Sequence, residues 1–234
     1  MINRNLPLSY YREEFAKEGV VVIPAFLEIM IAETIYDNIA NWPRFWWQSS
    51  SKTGDENITY IKNEASNQFL INSHKFKVRQ GASQGLFSYS FLRTINDHFA
   101  ECGCQECFFR KNIVSEESLH LINFITQRNL SSIETLFSSL YEPGDFLTAH
   151  QDTANGEVGF VYNLSKYWSP EFGGILSFVE EGSSKILRSI VPSFNTLVMF
   201  HLEKMQQTPH MVSQVSDFTP DFAKRLAITG WWKS

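Results

Sequence analysis

The feature that most constrains the fold of this chain is a series of short β-branched and aromatic runs that starts near residue 133. Strong turn residues separate the runs, including Pro143-Gly144, Asn155-Gly156 and Gly173-Gly174. Eight strands are predicted, at Ile133–Tyr141, Phe146–His150, Glu157–Leu164, Gly174–Glu180, Lys185–Val191, Thr196–His201, Thr208–Val215 and Ala223–Trp232. This number and spacing of strands is typical of a sandwich, a barrel or a jelly roll.

The first half of the chain, to about residue 130, shows helical periods separated by polar stretches. Helices are predicted at Tyr10–Lys17, Leu27–Trp42, Phe87–Ala100 and Ser115–Gln127, and a strand at Val20–Ile23. The polar segment 49–84 is predicted to be a mobile loop or an insertion. We expect one domain over residues 1–234, with helical support and a substrate or lid region at 1–130 and the β core at 131–234.

Composition and charge limit the classes of function. The formal net charge of -5 argues against a nucleic-acid-binding surface, which needs clustered Lys and Arg. The start of the chain shows no signal peptide, and no apolar stretch is long enough to span a membrane. Three cysteines do not make a disulfide framework, so a cytoplasmic location is expected.

A candidate metal site begins with His150 and Asp152, two residues apart at the end of a predicted strand. Residues with this spacing on a strand point to the same side, so the imidazole and the carboxylate are expected to converge. His210 opens a later strand, and the second and seventh strands of a jelly roll can lie side by side. Two histidines and one carboxylate form the facial triad of non-haem iron(II) oxygenases. Zinc is the competing ion, although it prefers a closed or nearly closed tetrahedral shell.

A candidate anion site lies in the terminal predicted strand, where Arg225 stands among apolar residues and Thr229 follows on the same face. A buried guanidinium is costly unless it meets an anion, and its planar fork matches a carboxylate. The alternative is an arginine whose charged end reaches the surface. Beside the two histidines and the aspartate, anion binding is the better interpretation.

In this order along the chain, the motifs resemble the iron(II)/2-oxoglutarate dioxygenases, and within them the prolyl-hydroxylase branch. The resemblance covers roughly residues 133 to 232. It is carried by Tyr141-x-Pro143-Gly144, His150-x-Asp152, Gly173-Gly174, Asn195-Thr196-Leu197, His210-x-Val212-x-x-Val215 and Arg225-Leu226-Ala227-Ile228-Thr229-Gly230-Trp231. It implies a mainly β fold with flanking helices (α+β), a cupin-like double-stranded β-helix or jelly roll with N-terminal helices packed on one face.

The resemblance also implies roles for single residues. His150, Asp152 and His210 would bind iron(II), while Arg225 would pair with the distal carboxylate of 2-oxoglutarate, close to Thr229. No catalytic residue beyond the metal ligands is predicted.

Three further positions are placed by the same resemblance. Tyr141 and Asn163 are expected to contribute to the cosubstrate pocket, and Trp231 to close the end of the barrel. Oxygen-sensing prolyl hydroxylases carry tyrosines where this chain has Leu147 and Asn163.

The implied activity is the hydroxylation of an unactivated aliphatic C–H with dioxygen, while 2-oxoglutarate yields succinate and CO2. Ascorbate is a further candidate cofactor. Asp152 favours hydroxylation, because related halogenases lack this carboxylate. A prolyl or other residue of a peptide or protein is the expected substrate. A free amino acid or small metabolite is the alternative, as is a cupin-like metal protein without 2-oxoglutarate or a non-catalytic sensor. The oligomeric state stays open.

Two other clusters have competing interpretations. Cys102, Cys104 and Cys107, with His98 upstream, are candidates for a small zinc site, although short cysteine tracts also arise by chance. The aromatic run Trp42–Trp47 favours packing between helix and sheet over a lid on a pocket.

A second histidine, His201, competes with His210 for the role of distal iron ligand. It ends a predicted strand but lies well before Arg225 and lacks the Val-x-x-Val pattern that follows His210. His210 is therefore preferred.

Overall fold

The computed structural model describes residues 1–95, 102–152, 155–203 and 208–234. The helices are α1 (Leu8–Glu18), α2 (Ile29–Ile39), α3 (Gln68–Ser83), α4 (Gln105–Ile113) and α5 (Glu116–Thr126). The strands are β1 (Val20–Ile23), β2 (Trp47–Thr53), β3 (Thr59–Lys62), β4 (Ser88–Thr94), β5 (Ser132–Tyr141), β6 (Phe146–His150), β7 (Val158–Asn163), β8 (Leu176–Val179), β9 (Ile186–Ile190), β10 (Thr196–His201), β11 (His210–Val212) and β12 (Arg225–Lys233). Over these ranges, none of the helices has the length and apolar character needed to cross a membrane.

The strands of the second half form two antiparallel four-stranded arrays. One has the order β10-β7-β12-β5 and the other β6-β11-β8-β9, and β4 joins them because it pairs with both β5 and β6. Each strand predicted after residue 131 overlaps an observed one. The double-stranded β-helix with flanking helices is therefore confirmed, and its second and seventh strands, β6 and β11, lie side by side.

Alternation along β12 shows how the strands separate two cores. Leu226, Ile228 and Trp232 face the helices, where Phe109 of α4 joins the same hydrophobic cluster. Residues in between face the interior of the β-helix, where Trp231 packs with the second cluster. Because successive side chains of a strand point to opposite sides, one face supports the helices and the other lines the interior.

A buried asparagine ties the first half of the chain to the β-helix. The side chain of Asn195 accepts hydrogen bonds from the Leu27 amide and the Tyr162 hydroxyl, both at 2.9 Å, and donates to the Leu27 carbonyl at 2.9 Å. Its φ of 54° lies in the left-handed region, which asparagine tolerates better than most residues. The Asn195-Thr196-Leu197 motif thus has a structural role.

Two predictions for the first half are wrong. Segment 49–84 is not a loop, since it contains most of β2, all of β3 and α3. A helix was predicted at Phe87–Ala100, but the structure forms strand β4 at Ser88–Thr94. Residues 96–100 of the predicted helix lie outside the described ranges. Pairing of β4 with β2, β5 and β6 satisfies its backbone, so tertiary hydrogen bonds override the local helical period.

Candidate metal centre and cosubstrate pocket

The two histidines of the candidate metal site face each other across paired strands. His210 of β11 is opposite His150 of β6, and their ring centroids are 4.3 Å apart. The next pair in this ladder is Val212 with Leu147, so β6 carries one residue more than β11 over the same length. Such a β-bulge redirects side chains locally. It accounts for Leu147 and His150, three residues apart, both facing the interior.

Asp152 follows the end of β6 and lies between the two imidazoles. Its Oδ1 is 3.4 Å from His150 Nε2 and its Oδ2 is 3.3 Å from His210 Nε2. The potential ligand atoms of the three residues all lie within 4.8 Å of one another. The carboxylate and both Nε2 atoms therefore converge on one small volume.

Surrounding groups orient these three side chains. His150 Nδ1 is 3.2 Å from the Thr148 carbonyl, which can only accept, so Nδ1 carries a proton and Nε2 presents its lone pair. The indole of Trp231 donates to Asp152 Oδ2 at 3.2 Å. The ring of Phe200 packs 5.0 Å from that of His210.

The electrostatics keep the aspartate charged and the buried histidine neutral. Burial opposes the charge of Asp152, but hydrogen bonds and charge interactions with His150 and His210 outweigh it and hold the pKa of Asp152 well below its usual value. Burial lowers the pKa of His210. A carboxylate and neutral imidazoles are the protonation states that bind a metal ion.

The three side chains stand in a cavity of about 560 Å³ inside the β-helix, a volume typical of small-molecule sites. Of the predicted site residues, Tyr141, Arg225, Thr229 and Trp231 line this cavity as well. A larger groove of about 780 Å³ runs along α1, but it is acidic and none of the predicted site residues line it.

Arg225 is buried, with only 2% of its surface exposed. Its Nε donates to the Gly174 carbonyl at 3.1 Å, and its guanidinium lies 5.1 Å from the ring centre of Tyr141. No carboxylate of the described residues lies within 4 Å of it to form an ion pair. Burial lowers the pKa of Arg225, but a guanidinium remains charged at neutral pH. At the cavity wall there is thus a buried cation that has no acidic partner within the described ranges.

The Gly173-Gly174 pair makes room for this arginine. A Cβ at Gly174 would stand 2.8 Å from Arg225 Cγ, and one at Gly173 would stand 2.0 Å from the carbonyl oxygen of Gln214. Both glycines have positive φ, at 70° and 63°. Only residues without a side chain fit here without displacing β-helix backbone or the arginine.

Two predicted pocket residues differ in how directly they reach the cavity. Tyr141 is paired opposite Arg225, and burial raises its pKa, so its phenol stays protonated and able to donate. Asn163 is buried on the same strand face as the cavity-lining Val161, but it is not itself among the lining residues. Its Oδ1 lacks a hydrogen-bond partner among the described residues.

Three residues of β4 that line the cavity were not predicted from the sequence. Tyr89, Phe91 and Arg93 lie two residues apart, so all three side chains point to the cavity side of this strand. The Arg93 guanidinium lies 4.1 Å from the ring centre of Phe137, and burial raises the pKa of Tyr89 to about 12. Their i, i+2 spacing was the available signal, but it lay within a segment interpreted as a helix.

The other candidates lie away from this cavity. His201 packs against Phe15 of α1, with ring centroids 6.3 Å apart, and is not a lining residue. In the run Trp42–Trp47, the Trp42 ring contacts those of Trp46 and Trp47, at 5.2 and 5.9 Å, just after α2. None of the run lines the cavity, in agreement with a packing role. His98 lies outside the described residues.

Comparison with known proteins finds a family match within the β half. Residues 136–233 match the model of the 2OG-Fe(II) oxygenase superfamily. The match spans less than half of the chain, so the chain is similar to this superfamily over its β half. The resemblance drawn from the sequence motifs is thereby confirmed.

A curated relative in the superfamily is Prolyl 3-hydroxylase OGFOD1 of Mus musculus. It is 31% identical over 97 residues, which are 39% of this chain but only 17% of the mouse protein. The chain therefore matches a small part of that larger protein.

Two solved structures share the fold of this chain. A prolyl-4-hydroxylase from Pseudomonas putida aligns with a TM-score of 0.57 at 18% identity, over 97% of this chain and 98% of that one. A prolyl hydroxylase from Trichoplax adhaerens, in complex with a peptide fragment of the hypoxia inducible factor oxygen degradation domain, aligns with a TM-score of 0.59 at 17% identity, over 97% and 88% of the two chains.

Proposed function

We propose that this chain is an iron(II)- and 2-oxoglutarate-dependent dioxygenase that hydroxylates an unactivated aliphatic C–H of a prolyl or other residue in a peptide or protein. The observation that carries the proposal is one cavity that contains both the cluster of His150, Asp152 and His210 and the buried Arg225, which has no carboxylate partner among the described residues. The match of residues 136–233 to the 2OG-Fe(II) oxygenase superfamily model supports the same chemistry.

The donor set fits iron(II). Two imidazole nitrogens and one carboxylate on one side of an ion leave further coordination positions on the other side, and this ligand set is the one used by non-haem iron(II) oxygenases. Zinc on the same three ligands would take one further donor and leave fewer open positions than iron(II). In the proposal His150, Asp152 and His210 hold iron(II), and Trp231 orients the carboxylate through its indole N–H.

The cavity wall fits a dicarboxylate cosubstrate. Arg225 presents its guanidinium to the interior, with Thr229 on the same face of β12 and the protonated Tyr141 phenol beside it. A carboxylate placed there would receive charge-assisted hydrogen bonds from a buried guanidinium. Bound together, iron(II) and 2-oxoglutarate supply the activation of dioxygen that C–H hydroxylation requires.

The proposed substrate class rests on the relatives and on the cavity. The mouse relative is a prolyl 3-hydroxylase, and the Trichoplax adhaerens structure holds a peptide. Aromatic side chains of β4 line the cavity and suit an apolar ring such as that of proline. We also propose that the two halves act as one domain, since β4 of the first half completes the cavity wall.

A free amino acid or small metabolite is the second candidate substrate. It is favoured by Arg93, a cation on the cavity wall that would suit the carboxylate of such a molecule.

The test incubates the purified protein with iron(II), 2-oxoglutarate and dioxygen, with separate arms for proline-containing peptides and free amino acids. Succinate release and a mass gain of one oxygen in a peptide are expected. Asp152→Ala should abolish both, while Asp221→Ala, at an exposed position outside the cavity, should leave them unchanged. Equal succinate from the Asp152→Ala variant would refute the ligand assignment, and turnover of free amino acids alone would refute the peptide substrate.

A further inference from the structure

A second cluster of metal-binding side chains lies at the start of α4, where Cys102, Cys104 and Cys107 bring their sulfur atoms within 4.8 Å of one another. All three side chains are partly buried. None of them lines the cavity of the proposed iron centre. The cluster therefore needs an explanation of its own.

We propose that Cys102, Cys104 and Cys107 bind a zinc ion that fixes the N-terminus of α4. Zn–S bonds of about 2.3 Å in a tetrahedral site place the sulfur atoms roughly 3.8 Å apart. Sulfur atoms already within 4.8 Å reach that arrangement by small side-chain rotations. Thiolates are soft ligands that select zinc over iron(II) or magnesium. The cysteine cluster and the proposed iron centre would therefore bind different metals.

The backbone at this helix end favours a thiolate at Cys104. At Cys107, burial and interactions with Cys104 and Cys102 raise the thiol pKa to about 12, so a bound zinc ion has to displace that proton. Cys104 is the N-cap of α4, and its Sγ accepts a hydrogen bond from the Cys107 amide at 3.5 Å. Amides at a helix N-terminus and the helix dipole stabilise a negative sulfur. On binding, each thiol loses its proton to solvent, so one zinc displaces three protons and forms three Zn–S bonds. The fourth position takes a water or a further donor.

The location of the site gives the ion a structural task. α4 is fastened to the β-helix by Glu106, whose buried carboxylate accepts from the Thr94 hydroxyl at 2.8 Å and the Ser138 amide at 2.7 Å. The ring of Phe109 stacks on that of Tyr162 at 5.1 Å. The helix thus holds β4 and β5, two strands that line the cavity. Zinc bound at the first turn of α4 would therefore stabilise β4 and β5 on the side that faces away from the cavity.

The experiment measures metals in protein purified under reducing conditions without chelators. One zinc per chain is expected, and Cys107→Ser should lose it and melt at a lower temperature. His150→Ala should lose iron but keep zinc. Ser115→Ala removes the side-chain cap of the neighbouring α5, so it should lower the melting temperature without changing the zinc content.

A second measurement avoids variants that fail to fold. Wild-type protein stripped of zinc and given cobalt(II) should show thiolate-to-cobalt charge-transfer absorption, which stoichiometric zinc removes. Unchanged zinc in Cys107→Ser, the absence of that absorption, or a disulfide between two of the cysteines in freshly purified protein would each overturn the proposal. None of these results bears on the iron centre, which Asp152→Ala tests separately.

Discussion

The replacement of Arg225 by methionine separates a cosubstrate-binding role from a structural one. Methionine has a similar volume and no charge, so Arg225→Met keeps the packing of the buried stem but removes the cation. In the proposed complex this leaves the distal carboxylate of 2-oxoglutarate buried without its partner. Removal of one member of a buried ion pair costs about 3–5 kcal/mol. At about 1.4 kcal/mol per tenfold change, the KM for 2-oxoglutarate should rise roughly 100- to 4000-fold.

The same substitution should not destabilise the protein in the absence of cosubstrate. Arg225 is 2% exposed. Among the described residues it has no carboxylate within 4 Å and makes one side-chain hydrogen bond, to the Gly174 carbonyl. Loss of that bond is offset by relief from burying an unpaired charge. The melting temperature without 2-oxoglutarate should therefore stay constant or rise.

Two assays check this reasoning. Succinate release against 2-oxoglutarate concentration gives the KM, and thermal melts with and without 2-oxoglutarate give the stabilisation by the cosubstrate. A ligand at 100 times its Kd stabilises by about 2.7 kcal/mol, which Arg225→Met should lose. Arg188→Met, which breaks an ion pair with Glu14 outside the cavity, should leave the KM unchanged. A lower melting temperature together with an unchanged KM would show that Arg225 is structural.

Two further predictions concern the supports of the site. Trp231→Phe removes the indole hydrogen bond to Asp152 and should weaken iron(II) binding about 10- to 100-fold, measured by competition with a chelator. The melting temperature should change little. Unchanged iron(II) affinity would show that this bond does not orient the carboxylate. Asn195→Ala removes three buried hydrogen bonds of 2.9 Å and puts alanine at a φ of 54°, so the free energy of unfolding in urea should fall by roughly 3–4 kcal/mol. Asn41→Ala, which removes an exposed local bond, should cost under about 1 kcal/mol, and an equally small loss for Asn195→Ala would contradict the argument.

The order of local signals along the second half was sufficient to predict its fold. Short apolar runs with turn residues at Pro143-Gly144 and Gly173-Gly174 specify strands because they act within a few residues. The same signals place His150 and Asp152 at the end of one strand, and His210 and Arg225 at the starts of two others. A charged or polar residue in an apolar strand is informative because burial without a partner is costly, so these residues stood out without any coordinates.

Tertiary structure decided what the local pattern could not. Strand β4 carries a helical period in its sequence, and only pairing with β2, β5 and β6 makes it a strand that lines the cavity with Tyr89 and Arg93. The bulge that turns His150 inward depends on its register with β11, which no property of β6 alone specifies. The convergence of three cysteine sulfurs depends likewise on the path of the chain into α4. Sequence determined which side chains are candidates for the chemistry. Long-range pairing determined which of them meet, because register and packing involve residues far apart in the chain.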